Sequence, residues 1–199
     1  MQTTWRTIRR TLCAAVAATV GVATFAQTPA PQFVQLSGGP ILQEKSRKLL
    51  ETDARHGKVQ SLIIPKELQR VLRSSSSVAF PTEHSKVIDG REFAMVVVNQ
   101  PSSDNPMGYC GAGEEGTLYV LRLHHGKAEV AFSTLVQSCL KNVDLFTDSG
   151  NKSPYLAIAW DEKVEGIQIH WMNYERPAPL TRTYHYQGGT FVMDQDPPA

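Results

Sequence analysis

The chain has 199 residues, with 20 Lys and Arg against 19 Asp and Glu, so its formal net charge at pH 7 is +1. A balance this even, without a block of like charges, argues against nucleic acid or an anionic membrane surface as the partner.

The N-terminus has the three parts of a secretory signal peptide. Arg6, Arg9 and Arg10 form a basic start, an apolar stretch of about 11 mostly small residues follows, and small residues lead to a predicted cleavage after Ala26. A partial twin-arginine pattern leaves that export route open, and an uncleaved anchor is the alternative to cleavage. No apolar stretch reaches the roughly 20 residues that span a bilayer. We therefore predict export to the periplasm or the cell exterior, with no transmembrane segment in the mature chain.

The predicted organisation is simple. Residues 1–26 are the signal peptide, 27–32 a flexible leader with two prolines, 33–194 a single globular domain, and 195–199 a frayed tail. Cleavage removes three arginines, which leaves 17 basic and 19 acidic residues and a net charge of −2.

The first third of the mature chain is predicted to be helical. Residues 40–57 place four apolar side chains among charged ones, as in an amphipathic helix that ends near Gly57; they are Ile41, Leu42, Leu49 and Leu50. The short apolar run at residues 59–65 is compatible with a strand. A second helix begins at Pro65, with Leu68, Val71 and Leu72 on one face, and ends in the serines 74–77.

Strands dominate the remainder. Asp89-Gly90 predicts a turn, and the apolar run of residues 91–100 predicts a strand buried on both faces. Gly188-Gly189 predicts a hairpin between two alternating segments. Altogether about seven short strands are expected. The predicted fold class is α+β, a mainly antiparallel meander or small barrel preceded by one or two helices.

The two cysteines that remain after processing, Cys110 and Cys139, predict a disulfide, because exported proteins live in oxidising compartments. Gly108, Gly111 and Gly113 are expected to let the backbone turn around the bridged Cys110. The alternative makes Cys110 a catalytic thiolate, which needs a histidine in reach, such as His124, His170 or His185, and a lowered pKa.

The sequence predicts no cofactor and no metal site. His124 and His125 are adjacent, so on a strand they point to opposite faces. Motifs of hydrolases, zinc sites and phosphate loops are absent. Two acidic dipeptides, Glu114-Glu115 and Asp161-Glu162, could supply a general acid/base pair, although acids at turns are usually only solvated.

Aromatic residues cluster in the last predicted strands. Tyr184 and Tyr186 share one face of their strand and His185 takes the other. Together with Arg182 these residues are a candidate binding patch, because Tyr and Arg are common at binding hot spots. Core packing of the aromatic face is the competing interpretation.

The function that fits these features is a non-enzymatic, exported binding or inhibitor-type module that engages another protein of the cell envelope. Its contacts are expected in the turns at residues 111–116 and 161–166. The alternatives are a periplasmic hydrolase that uses Cys110 or the carboxylate pair, and a purely structural envelope protein.

Overall fold

The structure is a computed structural model that describes residues 29–53, 55–105, 107–146, 153–175 and 178–194. The predicted signal peptide with its cleavage site, the start of the leader and the predicted tail lie outside these residues. The described residues form thirteen strands in three antiparallel sheets, one α-helix and one 3-10 turn at Pro154–Ala157.

The N-terminal sheet has four strands in chain order, β1 Phe33–Gln35, β2 Ile41–Lys45, β3 Lys48–Asp53 and β4 Lys58–Ser61. Helix α1, Lys66–Arg73, follows it. Pro65 precedes the first turn, Glu67 lies within it, and Leu68 and Leu72 are buried, so the second predicted helix is confirmed. None of the helices in the described part is long and apolar enough to cross a membrane.

The central sheet contains β5 Ser77–Ala79, β6 Lys86–Ile88, β7 Arg91–Pro101, β8 Glu114–His124 and β9 Lys127–Ser138. The long strands β7, β8 and β9 form a meander, and β5 and β6 both pair with β7. Two-residue turns at Asp89-Gly90 and His125-Gly126 close the β6–β7 and β8–β9 hairpins. All four turn residues have positive φ, as such turns require.

The C-terminal sheet has four strands, β10 Ile158–Asp161, β11 Gly166–Trp171, β12 Leu180–Gln187 and β13 Thr190–Met193. The hairpin predicted at Gly188-Gly189 joins β12 to β13 and is confirmed.

The three sheets stack as layers, with the central sheet between the other two. Phe93, Met95 and Val97 of β7 belong to the core shared with the C-terminal sheet. The alternating Ala94, Val96 and Val98 belong to the core shared with the N-terminal sheet and α1. The predicted burial of this strand on both faces is confirmed.

The predicted fold class is wrong. The chain is mostly β, and its strands form three separate sheets instead of a single meander preceded by helices; the described residues include no closed barrel. A sheet with one apolar face needs a second layer to cover it, and β10–β13 meet that need by packing on the central sheet.

The predicted helix at residues 40–57 covers the β2–β3 hairpin, and β4 begins just after it at Lys58. Ser46 and Arg47 both take positive φ and form its two-residue turn. Leu42 and Leu49 are seven residues apart, which fits two helical turns. The hairpin also brings both onto one face, because Leu49 pairs with Glu44 and alternate residues share a face.

Candidate functional site at the disulfide end of the central sheet

A disulfide joins Cys110 to Cys139, with 5.8 Å between their Cα atoms, so the predicted bridge is confirmed. It ties the loop of residues 102–113, between β7 and β8, to the end of β9. A cysteine in a disulfide has no thiolate to offer as a nucleophile.

The loop consists of consecutive tight turns. Gly108, Gly111 and Gly113 each donate a backbone hydrogen bond to a carbonyl three residues earlier, at 2.9–3.1 Å. The positive φ, however, belongs to Cys110 itself, at 58°. Gly113 is required for a different reason: a Cβ there would lie 2.6 Å from Cys139 Cβ and 2.9 Å from its Sγ.

Glu115 holds the base of the loop. Its Oε1 accepts hydrogen bonds from Ser102 Oγ at 2.6 Å and from the backbone N–H of Leu140 at 3.2 Å. Burial raises the pKa of Glu115, but hydrogen bonds from Ser102, Ser138 and the backbone after β9 outweigh this and leave the pKa below its usual value.

Large side chains stand exposed at this end of the molecule. Met107 is 92% exposed, Tyr109 80%, Leu140 53% and Tyr174 61%. Tyr174 joins this group because its hydroxyl donates a hydrogen bond to Asp144, which raises the pKa of the phenol. We call these four residues the disulfide-end surface.

A cleft of about 460 Å³ opens beside the bridge. Tyr109, Cys139 and Gln137 are part of its lining, and Glu114 and Asp144 bring carboxylates to it. The described residues that line it include no basic side chain. The cleft is therefore an acceptor-rich depression next to exposed apolar side chains.

Two polar side chains of the central sheet lie beside the cleft. They belong to Asn99 on β7 and Gln137 on β9, and both residues pair with Gly116 on β8. Asn99 Nδ2 donates to Ser77 Oγ at 2.9 Å and to the Tyr155 hydroxyl at 2.5 Å. Within the described residues, Asn99 Oδ1 and Gln137 Oε1 are buried without a partner. Buried acceptors without partners are costly, and Gln137 lines the cleft.

The structure separates the members of the predicted aromatic patch. Tyr184 is 7% exposed and packs on Phe132, with ring centroids 4.9 Å apart. Tyr186 packs on Phe93 at 5.0 Å, and strand alternation places Arg182 on the same face. His185 lies on the opposite face.

His185 is engaged on that opposite face. It contacts Asp194 and Gln187, and its hydrogen bond to Asp194 raises its pKa. Arg182, Tyr184, His185 and Tyr186 therefore do not all share one face of β12.

The two acidic dipeptides are also kept apart. Glu114 pairs with Pro101 at the end of β7. Glu162 forms an ion pair with Lys86, which pairs with Phe93 near the start of β7. Eight residues of extended strand separate these points by about 26 Å, too far for one acid/base pair. The described residues contain no group of three His, Cys, Asp or Glu that could hold a metal.

Sequence reasoning identified the bridge but missed the side chains that it presents. Met107 and Tyr109 lie in a run of turn-forming residues. Large apolar side chains in such a run could have indicated an exposed contact surface. No sequence pattern indicated the position of Gln137 beside the cleft, because that position depends on a register shift between β8 and β9 at Gly116/Thr117.

No family model matches the chain. No curated protein and no solved structure matches it either. Function is therefore argued from the geometry of this surface.

Proposed function

We propose that this chain is an exported, non-enzymatic binding module that docks another protein of the cell envelope through the disulfide-end surface. Export is supported by the basic and apolar N-terminal segment and by the disulfide, which persists in oxidising compartments. Of the two predicted contact regions, the proposal keeps residues 111–116, extends them to Met107 and Tyr109 of the same loop, and leaves out residues 161–166.

The observation that carries the proposal is the exposure of Met107 and Tyr109 on a loop that the bridge restrains. Met and Tyr are enriched at protein interfaces, and aromatic side chains dominate hot spots. A restrained loop loses little conformational entropy when a partner binds, which increases affinity.

Charge indicates the chemistry of the partner. Asp104 lies in the bridged loop, and Glu114 and Asp144 line the cleft. The described residues of this loop and of the cleft lining include no Lys or Arg, and Lys141 follows Leu140 in sequence. Complementary charge steers association and selects partners. The partner is therefore a protein with an apolar recess bordered by Lys or Arg, and the cleft beside Tyr109 has room for one such cationic side chain.

Site-resolved photo-crosslinking tests the proposal. A photoreactive phenylalanine analogue is placed at position 107 or 109, and as a control at Val59, which is 58% exposed on the N-terminal sheet. In cells that naturally express the protein, positions 107 and 109 should give one discrete adduct that position 59 does not. Equal labelling from all three positions, or none from 107 and 109, would overturn the proposal.

The cross-linked protein then permits a quantitative measurement. Tyr109→Ala should weaken its binding by about tenfold or more, as for a hot-spot residue. Val59→Ala should leave affinity unchanged. Because Tyr109 is so exposed, both variants should keep the circular dichroism spectrum and the disulfide of the parent protein.

A further inference from the structure

The opposite end of the central sheet carries a second cleft, of about 630 Å³, at the turns that join β6 to β7 and β8 to β9. We call this cavity the basic cleft, because four basic side chains line it: Arg91, Arg122, His124 and Lys127. About 30 Å of strand separates it from the disulfide.

Strand register explains why these side chains meet. Arg122 pairs with Phe93, and His124 pairs with Lys127. Paired and alternate residues share a face, so all four basic residues lie on the face that holds Phe93. Phe93 is part of the core, and the basic side chains therefore occupy the sheet just beyond the edge of that core.

The acidic side chains of this cleft already have partners. Glu129 forms an ion pair with Arg122. Glu92 Oε1 accepts hydrogen bonds from the backbone N–H of Ser37 and from Ser85 Oγ, both at 2.6 Å. In the described part of the chain, neither carboxylate forms an ion pair with Arg91 or Lys127.

The guanidinium of Arg91 has hydrogen-bond donors available for a further ligand. Its Nη1 donates to the hydroxyl of Tyr186 at 3.1 Å, and its Cζ lies 6.0 Å from the centre of that ring. Both contacts are to a neutral group. Among the described residues, no ion pair includes Arg91, His124 or Lys127.

The surroundings of Glu129 show that the basic side chains of this cleft stabilise a negative charge. A hydrogen bond and the charge of Arg122 lower the pKa of the Glu129 carboxyl, and the charges of His124 and Lys127 lower it further. The Glu129 carboxylate is thus paired with Arg122 and attracted by the charges of His124 and Lys127, whereas Arg91 forms no ion pair with a described residue.

We propose that the basic cleft binds a small oxyanion, a phosphate or carboxylate group, between Arg91, Arg122 and Lys127. A guanidinium offers paired donors that match both groups. The inference does not depend on the proposed protein partner, because the two sites lie at opposite ends of the sheet.

Titration of the isotope-labelled mature protein, followed by amide chemical shifts, tests this site. Sodium phosphate and sodium succinate are titrated separately at pH 7 and constant ionic strength, with chloride as the replaced salt. At least one oxyanion should give saturable shifts at residues 90–92 and 122–129, and the comparison distinguishes phosphate from carboxylate recognition. The absence of saturable shifts at these residues with both phosphate and succinate would overturn the proposal.

Variants locate the binding. Arg91→Gln should weaken it about tenfold, as expected for loss of hydrogen bonds to a charged group. Lys141→Gln, which removes a cation at the other end of the sheet, should leave it unchanged. Glu129→Gln removes the internal competitor and should tighten binding severalfold. If Arg91→Gln retains the parent affinity and an unchanged circular dichroism spectrum, the assignment to this cleft is wrong.

Discussion

Glu115 connects the two ends of the disulfide loop by hydrogen bonds. One carboxylate oxygen joins Ser102, at the start of the loop, to Leu140, just after the bridge. The hydrogen bonds favour the ionised form, so the folded protein holds the pKa of Glu115 below its ordinary value of 4.5. Its contribution to stability is therefore present above about pH 4.5 and is lost as the pH falls through the lowered value.

Glu115→Gln should reveal this contribution. At pH 7 the variant should lose about 1–2 kcal/mol of unfolding free energy, because hydrogen bonds to a charged acceptor are replaced by weaker ones at a partly exposed site. At pH 3, which lies below the ordinary value of 4.5, the difference from the parent protein should be smaller, because the advantage of the ionised carboxylate declines as the pH falls. Urea unfolding at the two pH values measures it, and a constant difference would contradict this role for Glu115.

Gly113 is required by close packing against the bridge. Gly113→Ala would place a Cβ 2.6 Å from Cys139 Cβ, so the backbone must shift or the disulfide must distort. We expect a loss of about 1–3 kcal/mol, the usual cost of overpacking. Gly38→Ala is the matched control, because its Cβ would meet Pro40 Cδ at an ordinary 3.7 Å. Equal stability of the two variants in urea would exclude this packing constraint.

At the scale of elements, the bridge is the main restraint on the loop. Its two cysteines are 29 residues apart in sequence, and closing a loop of that length stabilises by about 3–4 kcal/mol in the chain-entropy model. The double variant Cys110→Ser/Cys139→Ser should lose that amount, as determined by urea unfolding. A loss below 1 kcal/mol would mean that the loop is held by its other contacts, chiefly those of Glu115.

The β2–β3 hairpin shows where local pattern fails. Its turn uses Ser46 and Arg47 in the left-handed region, although Asn and Gly are the residues that normally indicate such a turn. Without that indication, the spacing of Leu42 and Leu49 fits a helix as well as a hairpin. By contrast, Asp89-Gly90 and Gly188-Gly189 carry suitable turn residues, and their hairpins were predicted correctly.

At the scale of the whole molecule, the sequence predicted the long buried strand at residues 91–100 and a strand-rich remainder, but not the division of the strands into sheets. The run at residues 91–100 implied a layer on each side, yet which strands form those layers depends on contacts distant in sequence. The candidate site, too, was predicted only in part. The pairing of Cys110 with Cys139 followed from cysteine count and compartment, whereas the approach of Tyr174 to that end depends on its contact with Asp144.

The three-layer arrangement predicts that neighbouring positions of β7 are equally sensitive. Val96 is 1% and Val97 0% exposed, and they face different cores. Val96→Ala and Val97→Ala should each cost about 2 kcal/mol, whereas Val59→Ala on the surface should cost under about 0.5 kcal/mol. A two-layer protein would tolerate one of the two core substitutions, and that result in urea unfolding would contradict the layering.

The central claim is that Cys110 is structural, so that its loop presents side chains to a partner instead of a nucleophile to a substrate. A thiol count on the purified mature protein tests this most directly, by alkylation with and without prior reduction followed by mass spectrometry. The bridge predicts no alkylated cysteine without reductant and two after reduction. A free, rapidly alkylated Cys110 in the native protein would contradict the claim and favour a hydrolase that uses this thiol.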